Sequence, residues 1–299
     1  MIDFHQTVLL NESIEALNIQ PDGIYVDATF GGGGHSKEIL KRLKTGRLIA
    51  FDQDEDALKN EINDDRMILL QNNFRYLKKF LRYYDALPVN GIIADLGVSS
   101  HQFEDAERGF SIRYDALPDM RMDRRKKLTA AEILNTWDEK QLSDIFYQYG
   151  EIENSRRLAQ TIVEKRNNET ISSLDQFKNL ISKCTPRGKE NKYLAKVFQA
   201  LRIEINEELE ALKDLLLQAN EVLSKNGRVV IISYHSLEDR LVKNFMRSGN
   251  FDGTIEKDFF GNVLAPLQPL QTKAIIPNEN EIEKNNRARS AKMRIAQKL

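Results

Sequence analysis

The chain turns on the stretch Ile24-Tyr25-Val26-Asp27-Ala28-Thr29-Phe30-Gly31-Gly32-Gly33-Gly34-His35-Ser36-Lys37-Glu38-Ile39-Leu40. Apolar β-formers run into a glycine cluster and then into helical spacing, which reads as strand, tight turn and helix. The glycines permit positive φ and let a ligand approach with no Cβ in the way. The helix that follows points free N–H groups back at that space, an arrangement suited to an anionic group. A second apolar run, Leu48-Ile49-Ala50-Phe51, ends at Asp52, about 20 residues beyond the glycines, where a carboxylate accepts hydrogen bonds from a ribose. The whole reads as a nucleoside-binding βαβ unit.

The spacing leaves the nucleoside open. A dinucleotide site calls for G-x-G-x-x-G, and here Gly31-x-Gly33 meets Ser36 where the third glycine belongs. The Asp27-x-Thr29 pair before the glycines resembles the first motif of S-adenosylmethionine methyltransferases, in which an acid at the strand end lies near the methionine part of the cofactor. A dehydrogenase and a plain glycine-rich turn stay as alternatives at this point.

Outward from this unit, strands alternate with helices. Met67 to Leu70 reads as a third strand and Gly91 to Gly97 as a fourth. Helical patterns fall over Asp54 to Ile62 and over Phe74, Leu77, Phe80, Leu81 and Tyr84. The alternation argues for a doubly wound α/β fold. Glu104 to Asp123 holds no clean period, and a loop of that length beside such a site is usually functional or disordered. Helical stripes then follow from Thr129, where Thr129-x-x-Glu132 has the form of a capping box. Val197 to Leu223 reads as one long helix stopped by Asn226-Gly227, and Arg228 to Ser233 as the fifth strand. The expected organisation is a discontinuous domain, 1–110 with 197–299, and a loop-and-helix insertion, 111–196, that recognises substrate.

Composition is that of a globular protein. The chain has 299 residues, 41% hydrophobic and 30% charged, with no apolar run near the length of a membrane span. Neither a signal peptide nor a membrane partner is expected, and the single cysteine, Cys184, fits a reducing cytoplasm. With 44 basic against 45 acidic residues, nucleic acid would have to be held by a local patch. No C-x-x-C or H-x-x-x-H spacing is present, so no protein-bound metal is expected. With no G-x-S-x-G elbow, a hydrolase has little support.

Further motifs are more specific. They are Asp95-Leu96-Gly97-Val98-Ser99-Ser100, Glu107-Arg108-Gly109-Phe110-Ser111, Asp119-Met120-Arg121-Met122-Asp123, Phe198-Gln199-Ala200-Leu201-Arg202-Ile203 with Asn206 and Glu208, Tyr234-His235-Ser236-Leu237-Glu238-Asp239-Arg240, and Asn286-Arg287-Ala288-Arg289-Ser290. In this order they resemble the ribosomal RNA small-subunit methyltransferase H family, from His5 to the C-terminal tail. The resemblance implies a Rossmann-like S-adenosylmethionine-dependent methyltransferase with an inserted helical domain. It also implies methylation of the exocyclic N4 of a cytidine in the decoding centre of 16S rRNA, with the small ribosomal subunit as partner.

Residue by residue, the resemblance makes Gly33, Gly34 and His35 glycine-loop contacts of the cofactor and Asp52 the ribose acid. It places Phe74 beside the adenine, Asp95 at the end of strand four and Gln102 as a further cofactor contact. Asp95 would attract the cationic end of the cofactor. Ser99 and nearby backbone carbonyls are candidate acceptors for the N4 proton. His235 and Ser236, read as the end of strand five, are candidates for contact with the target base. The chain departs from the family pattern at His101, where proline is usual, and at Ala116-Leu117-Pro118, where Gly-Pro-Leu is common. It departs also at Lys196 in place of arginine and at Tyr234 in place of a common phenylalanine.

Phosphate contact is expected from at least one of three basic runs: Arg121 with Arg124 to Lys127; Arg187, Lys189 and Lys192; and Arg287, Arg289, Lys292 and Arg294. A homodimer stays open, since no unpaired apolar stripe of the inserted block marks an interface. A ribosome-associated assembly factor without turnover is the alternative from a different class, and Asp27, Gly33, Asp52 and Asp95 argue against it.

Overall fold

A computed structural model describes residues 7–299; His5, where the family resemblance begins, lies outside the described residues. The strands are β1 (Ile24–Asp27), β2 (Arg47–Asp52), β3 (Met67–Gln71), β4 (Val89–Asp95), β5 (Leu223–Ser233), β6 (Leu267–Pro269) and β7 (Lys292–Lys298). The helices are α1 (Leu10–Leu17), α2 (Gly34–Arg42), α3 (Glu55–Leu58), α4 (Leu77–Tyr83), α5 (Ser100–Glu104), α6 (Ala130–Thr136), α7 (Glu139–Gln148), α8 (Ser155–Arg166), α9 (Leu174–Ile181), α10 (Glu190–Asn206), α11 (Glu208–Val222), α12 (Ser236–Ser248) and α13 (Glu279–Lys284). Two compact units result: Met1–Gly97 with Leu209–Leu299, and Val98–Glu208.

The first unit is a seven-stranded sheet in the order β3-β2-β1-β4-β5-β7-β6. β1 to β5 run parallel, and β7 pairs antiparallel with both β5 and β6. Alternate side chains fill opposite faces. Val26, Ile92, Ala94, Val229 and Ile231 pack on one face with α11 residues such as Leu215 and Ala219. Tyr25, Ile93, Val230 and Ile232 pack on the other with Leu17, Ile39 and Leu40. Burial on both faces is why these strands read as continuous apolar runs. The sheet is Rossmann-like, as the alternation of strands and helices implies. The antiparallel β7 was legible only in the alternation Lys292-Met293-Arg294-Ile295, which the charged residues made look like a basic tail.

The second unit has its own core, with Phe110, Met120, Ile133, Phe146, Leu158, Phe177 and Leu201 among its buried residues. Val98, Phe103 and Phe110 belong to that core, so the unit begins ahead of position 111, and α10 carries it past 196 to Glu208. Cys184 is buried within it, its Sγ 3.3 Å from Thr161 Oγ1. Among the described residues, no helix is long and apolar enough to cross a membrane.

Two helices differ from the sequence reading. The long helix over 197–223 is two, because Glu207 takes left-handed φ of 52° between α10 and α11. Just before that break Asn206 is buried, its side chain committed to the backbone of Met120 and Met122. The helix read over 54–62 is only α3. Asn60 leaves the helical path to donate from Nδ2 to the Gly31 carbonyl at 3.0 Å.

Candidate active site

In the sheet unit, the carboxyl ends of β1, β2 and β4 hold the glycine bend. Gly31 takes φ of +51° and Gly33 of +74°, and a Cβ at Gly33 would crowd the Phe30 ring at 2.9 Å. A Cβ at Gly34 would overlap the Thr7 hydroxyl, so this glycine is required by Thr7, where the sequence reading assigned it to ligand approach. Asp27 pins the bend to the helix behind it: its carboxylate accepts from Thr29 N at 3.1 Å and from Ser36 Oγ at 2.7 Å. Serine stands where a dinucleotide site has its third glycine because its hydroxyl serves Asp27.

Asp52 braces the other side. Its Oδ2 accepts from Gly31 N at 2.8 Å and its Oδ1 from Asp54 N at 2.9 Å. Each oxygen keeps a second lone pair, so both can still accept from a ribose diol. Asn73 Nδ2 donates to Gln53 Oε1 at 2.9 Å and joins the ends of β2 and β3, which sets half-buried Phe74 one residue further on. Thr29 Oγ1 accepts from Asp95 N at 2.6 Å and ties β1 to the end of β4. Tyr234 OH donates to Asp95 Oδ1 at 2.7 Å. Neither Thr29 nor the Tyr234 hydroxyl was legible as a partner of Asp95, since both contacts cross between strands.

The electrostatics of this edge are those of crowded acids. Burial pushes the Asp27 carboxyl up to about 6 against the pull of its Ser36 and Thr29 hydrogen bonds. Burial pushes Asp52 up to about 6 as well, against the N–H groups of Asp54 and Gly31. Asp95 is pushed up to about 7, by burial first; the Tyr234 hydroxyl pulls it down while Asp27, Glu238 and Glu281 repel its charge. His35 is buried, held at the Val8 backbone and pushed down to about 4 by burial, so it is neutral. Its Nε2 has no hydrogen-bond partner among the described residues.

His235 and Ser236 do not end a strand. β5 stops at Ser233; His235 is the N-cap of α12 and Ser236 its first helical residue. His235 Nδ1 accepts from Glu238 N at 3.4 Å, and buried Glu238 reaches back to accept from His235 N at 3.3 Å, a reciprocal cap, and from Tyr234 N at 2.9 Å. His235 Nε2 lies 3.2 Å from Glu238 Oε1 but off the direction of a hydrogen bond, which leaves that nitrogen unsatisfied. The sequence reading carried the end of strand five through His235 and Ser236; the capping signal was Glu238, three residues past His235.

In the helical unit, Ser99 is the N-cap of α5 and Gln102 closes a capping box with it. Gln102 N donates to Ser99 Oγ at 3.2 Å, and Ser99 N donates to Gln102 Oε1 at 3.0 Å. His101 occupies the first turn of that helix, and the box is complete without the usual proline. The remaining motifs meet here too. Buried Arg108 donates to the carbonyls of Arg121 and Met122, and Asn206 bonds Met120 O and Met122 N, while Arg202 clasps Glu208 at 2.8 and 2.9 Å. Two separated motifs thus hold a third, the loop 119–123.

A Rossmann-like sheet with a glycine bend braced by Asp52, and further acids along the same edge, has the form of a methylase fold. The chain belongs to the MraW methylase family, whose sequence profile matches residues 3–299. It is 56% identical over 298 residues to ribosomal RNA small subunit methyltransferase H of Bacteroides thetaiotaomicron, covering 99% of this chain and 98% of the relative. It is 56% identical over 297 residues to the protein of that name from Cytophaga hutchinsonii, covering 99% of each. The protein of that name from Christiangramia forsetii is 54% identical over 300 residues, covering 100% of this chain and 99% of the relative.

Proposed function

We propose that this protein transfers a methyl group from S-adenosylmethionine to the exocyclic N4 of a cytidine in the decoding centre of 16S rRNA, acting in the cytoplasm on the small ribosomal subunit. The observation that carries the reading is whole-chain membership in the methylase family, with the family motifs placed around the sheet edge and the 119–123 loop. The residues fit the cofactor. Asp52 has two acceptor positions for a diol, Phe74 offers a ring face to a purine, and the partnerless Nε2 of His35 points to a ligand contact. Repulsion among Asp27, Asp95, Glu238 and Glu281 is relieved by a cation, which the α-ammonium and sulfonium provide.

When bound, S-adenosylmethionine supplies an electrophilic methyl carbon. This chain's residues orient and desolvate. Asp95, held by Tyr234 and Thr29, fixes the cationic end; Asp52 and the glycine bend fix the ribose. Alignment of nitrogen, carbon and sulfur then supplies most of the rate. The bound cofactor would supply the methyl group for the new N–CH3 bond with its neutral thioether as leaving group, and the amine would give up one proton. Ser99 and neighbouring backbone carbonyls are the proposed acceptors of that proton. The unsatisfied Nε2 of His235 is the proposed contact to an unstacked target base, with Ser236 beside it.

The test is incubation with labelled S-adenosylmethionine and small subunits lacking the N4 methyl group, followed by mapping of the modified base. Label on a cytidine N4 is expected. Label on another base type, or only on protein, would overturn the substrate assignment.

A further inference from the structure

The three basic runs have different fates in the folded chain. In the first, Arg121 clasps Asp119 at 2.7 Å, Arg125 clasps Asp123 at 2.8 Å and Lys126 pairs with Glu207 at 2.9 Å. In the last, Lys292 and Arg294 both serve Asp239, at 3.3 and 2.6 Å. These cations have carboxylate partners at home, Lys292 and Arg294 sharing one, while Lys127 and Arg289 of the same runs are exposed and in no ion pair among the described residues. Arg187, Lys189 and Lys192 are exposed and make no ion pair among the described residues.

The fold enlarges that third run. Asn154, the N-cap of α8, donates from Nδ2 to Cys184 O at 2.9 Å and accepts from Tyr193 OH at 3.0 Å. Lys196 Nζ donates to Glu151 O at 3.1 Å. The segments 151–157 and 183–196 are thereby stitched together, and they carry Arg156, Arg157 and Lys183 as well, each exposed and outside any ion pair among the described residues. The turn from Pro186 to Lys189, closed by Lys189 N donating to Pro186 O at 3.2 Å with Gly188 at φ of +74°, sets Arg187 at its tip. Glu190 is held by the same turn, its Oε1 accepting from Gly188 N at 2.8 Å, and makes no ion pair among the described residues. Six exposed cations outside any ion pair, on a side-chain-braced scaffold, make a positive field that draws a polyanion.

We infer that the surface formed by Arg156, Arg157, Lys183, Arg187, Lys189 and Lys192 grips the phosphate backbone of the substrate RNA. The inference rests on the proposal that the substrate is ribosomal RNA, and it names where on the helical unit that RNA is held. Phosphate contact fixes register and carries affinity without reading sequence, so binding through this surface should be strongly salt-dependent.

The test compares the full chain with the variant Arg187→Gln, Lys189→Gln, Lys192→Gln. The control variant Lys44→Gln, Lys225→Gln, Lys284→Gln removes equal charge from exposed positions of the sheet unit. Binding of naked small-subunit rRNA is titrated against salt, and KM for small subunits is measured with labelled S-adenosylmethionine. Loss of three phosphate contacts should lower the slope of log affinity against log salt by about 2 and raise KM about tenfold at low salt. Thermal midpoint and cofactor affinity should match those of the parent chain. An unchanged salt slope, an equal loss in the control variant, or a loss seen with assembled subunits but not with naked RNA would overturn the inference. If the parent chain binds RNA with the predicted slope yet methylates no cytidine, the substrate reading fails while the phosphate surface stands.

Discussion

Tyr234→Phe isolates one hydrogen bond at the centre of the proposed cofactor site. The hydroxyl donates to Asp95 Oδ1 at 2.7 Å, and the ring lies 3.4 Å from where a Cβ of Gly97 would stand, so phenylalanine keeps the packing and removes only the donor. Tyr234 itself is raised well above the ordinary tyrosine range, burial first and Asp95 second, so it is a neutral donor throughout and Asp95 is the group that titrates. A hydrogen bond to a charged group contributes about 1.5–3 kcal/mol in the interior. Asp95 is only half-buried, and discounting for solvent leaves about 1 pH unit of upward movement from its present value of about 7. Binding of a cationic cofactor needs the ionised carboxylate. The variant should therefore bind S-adenosylmethionine about fivefold more weakly near pH 7, with the difference closing near pH 9. Calorimetric titration across that range reads both curves. Superimposable curves, or a loss equal at every pH, would refute the role given to this pair.

Three further outcomes follow from the same geometry. Asp52→Ala removes the acceptor of two backbone N–H groups and of the proposed ribose, so calorimetry should show cofactor affinity weakened at least about tenfold; unchanged affinity would move the ribose elsewhere. Asp27, buried and held at about 6 against 3.8 unfolded, keeps its proton in the folded state while the unfolded chain loses it. Its contribution to stability therefore falls as pH rises from about 4 to about 6 and is flat above, by about 3 kcal/mol in all, and Asp27→Asn should flatten that part of a urea-denaturation series without cofactor. Asn206→Leu removes the hydrogen bonds to Met122 N and Met120 O inside the helical unit, at a cost of about 2–4 kcal/mol. Trp137, the chain's single tryptophan, packs at that unit's core, so its fluorescence reports the loss directly.

The sequence alone determined the βαβ unit, the acid after it, the parallel strands β1 to β5 and the presence of a helical insertion. Each of these is written in local periodicity, in glycines that must turn or in apolar runs buried on both faces. The family motifs could be read because unusual residues stand at fixed spacings. Tertiary structure alone decided who holds whom. It showed that Ser36 serves Asp27, that Gly34 makes room for Thr7, and that His235 caps a helix through Glu238. It also divided three similar basic runs into two whose arginines and lysines are in part paired with nearby carboxylates and one whose three cations make no ion pair among the described residues. The physical reason is that a carboxylate's partner is set by distance in space, and contacts such as Asp95 with Tyr234, 139 residues apart in the chain, leave no period or spacing to read.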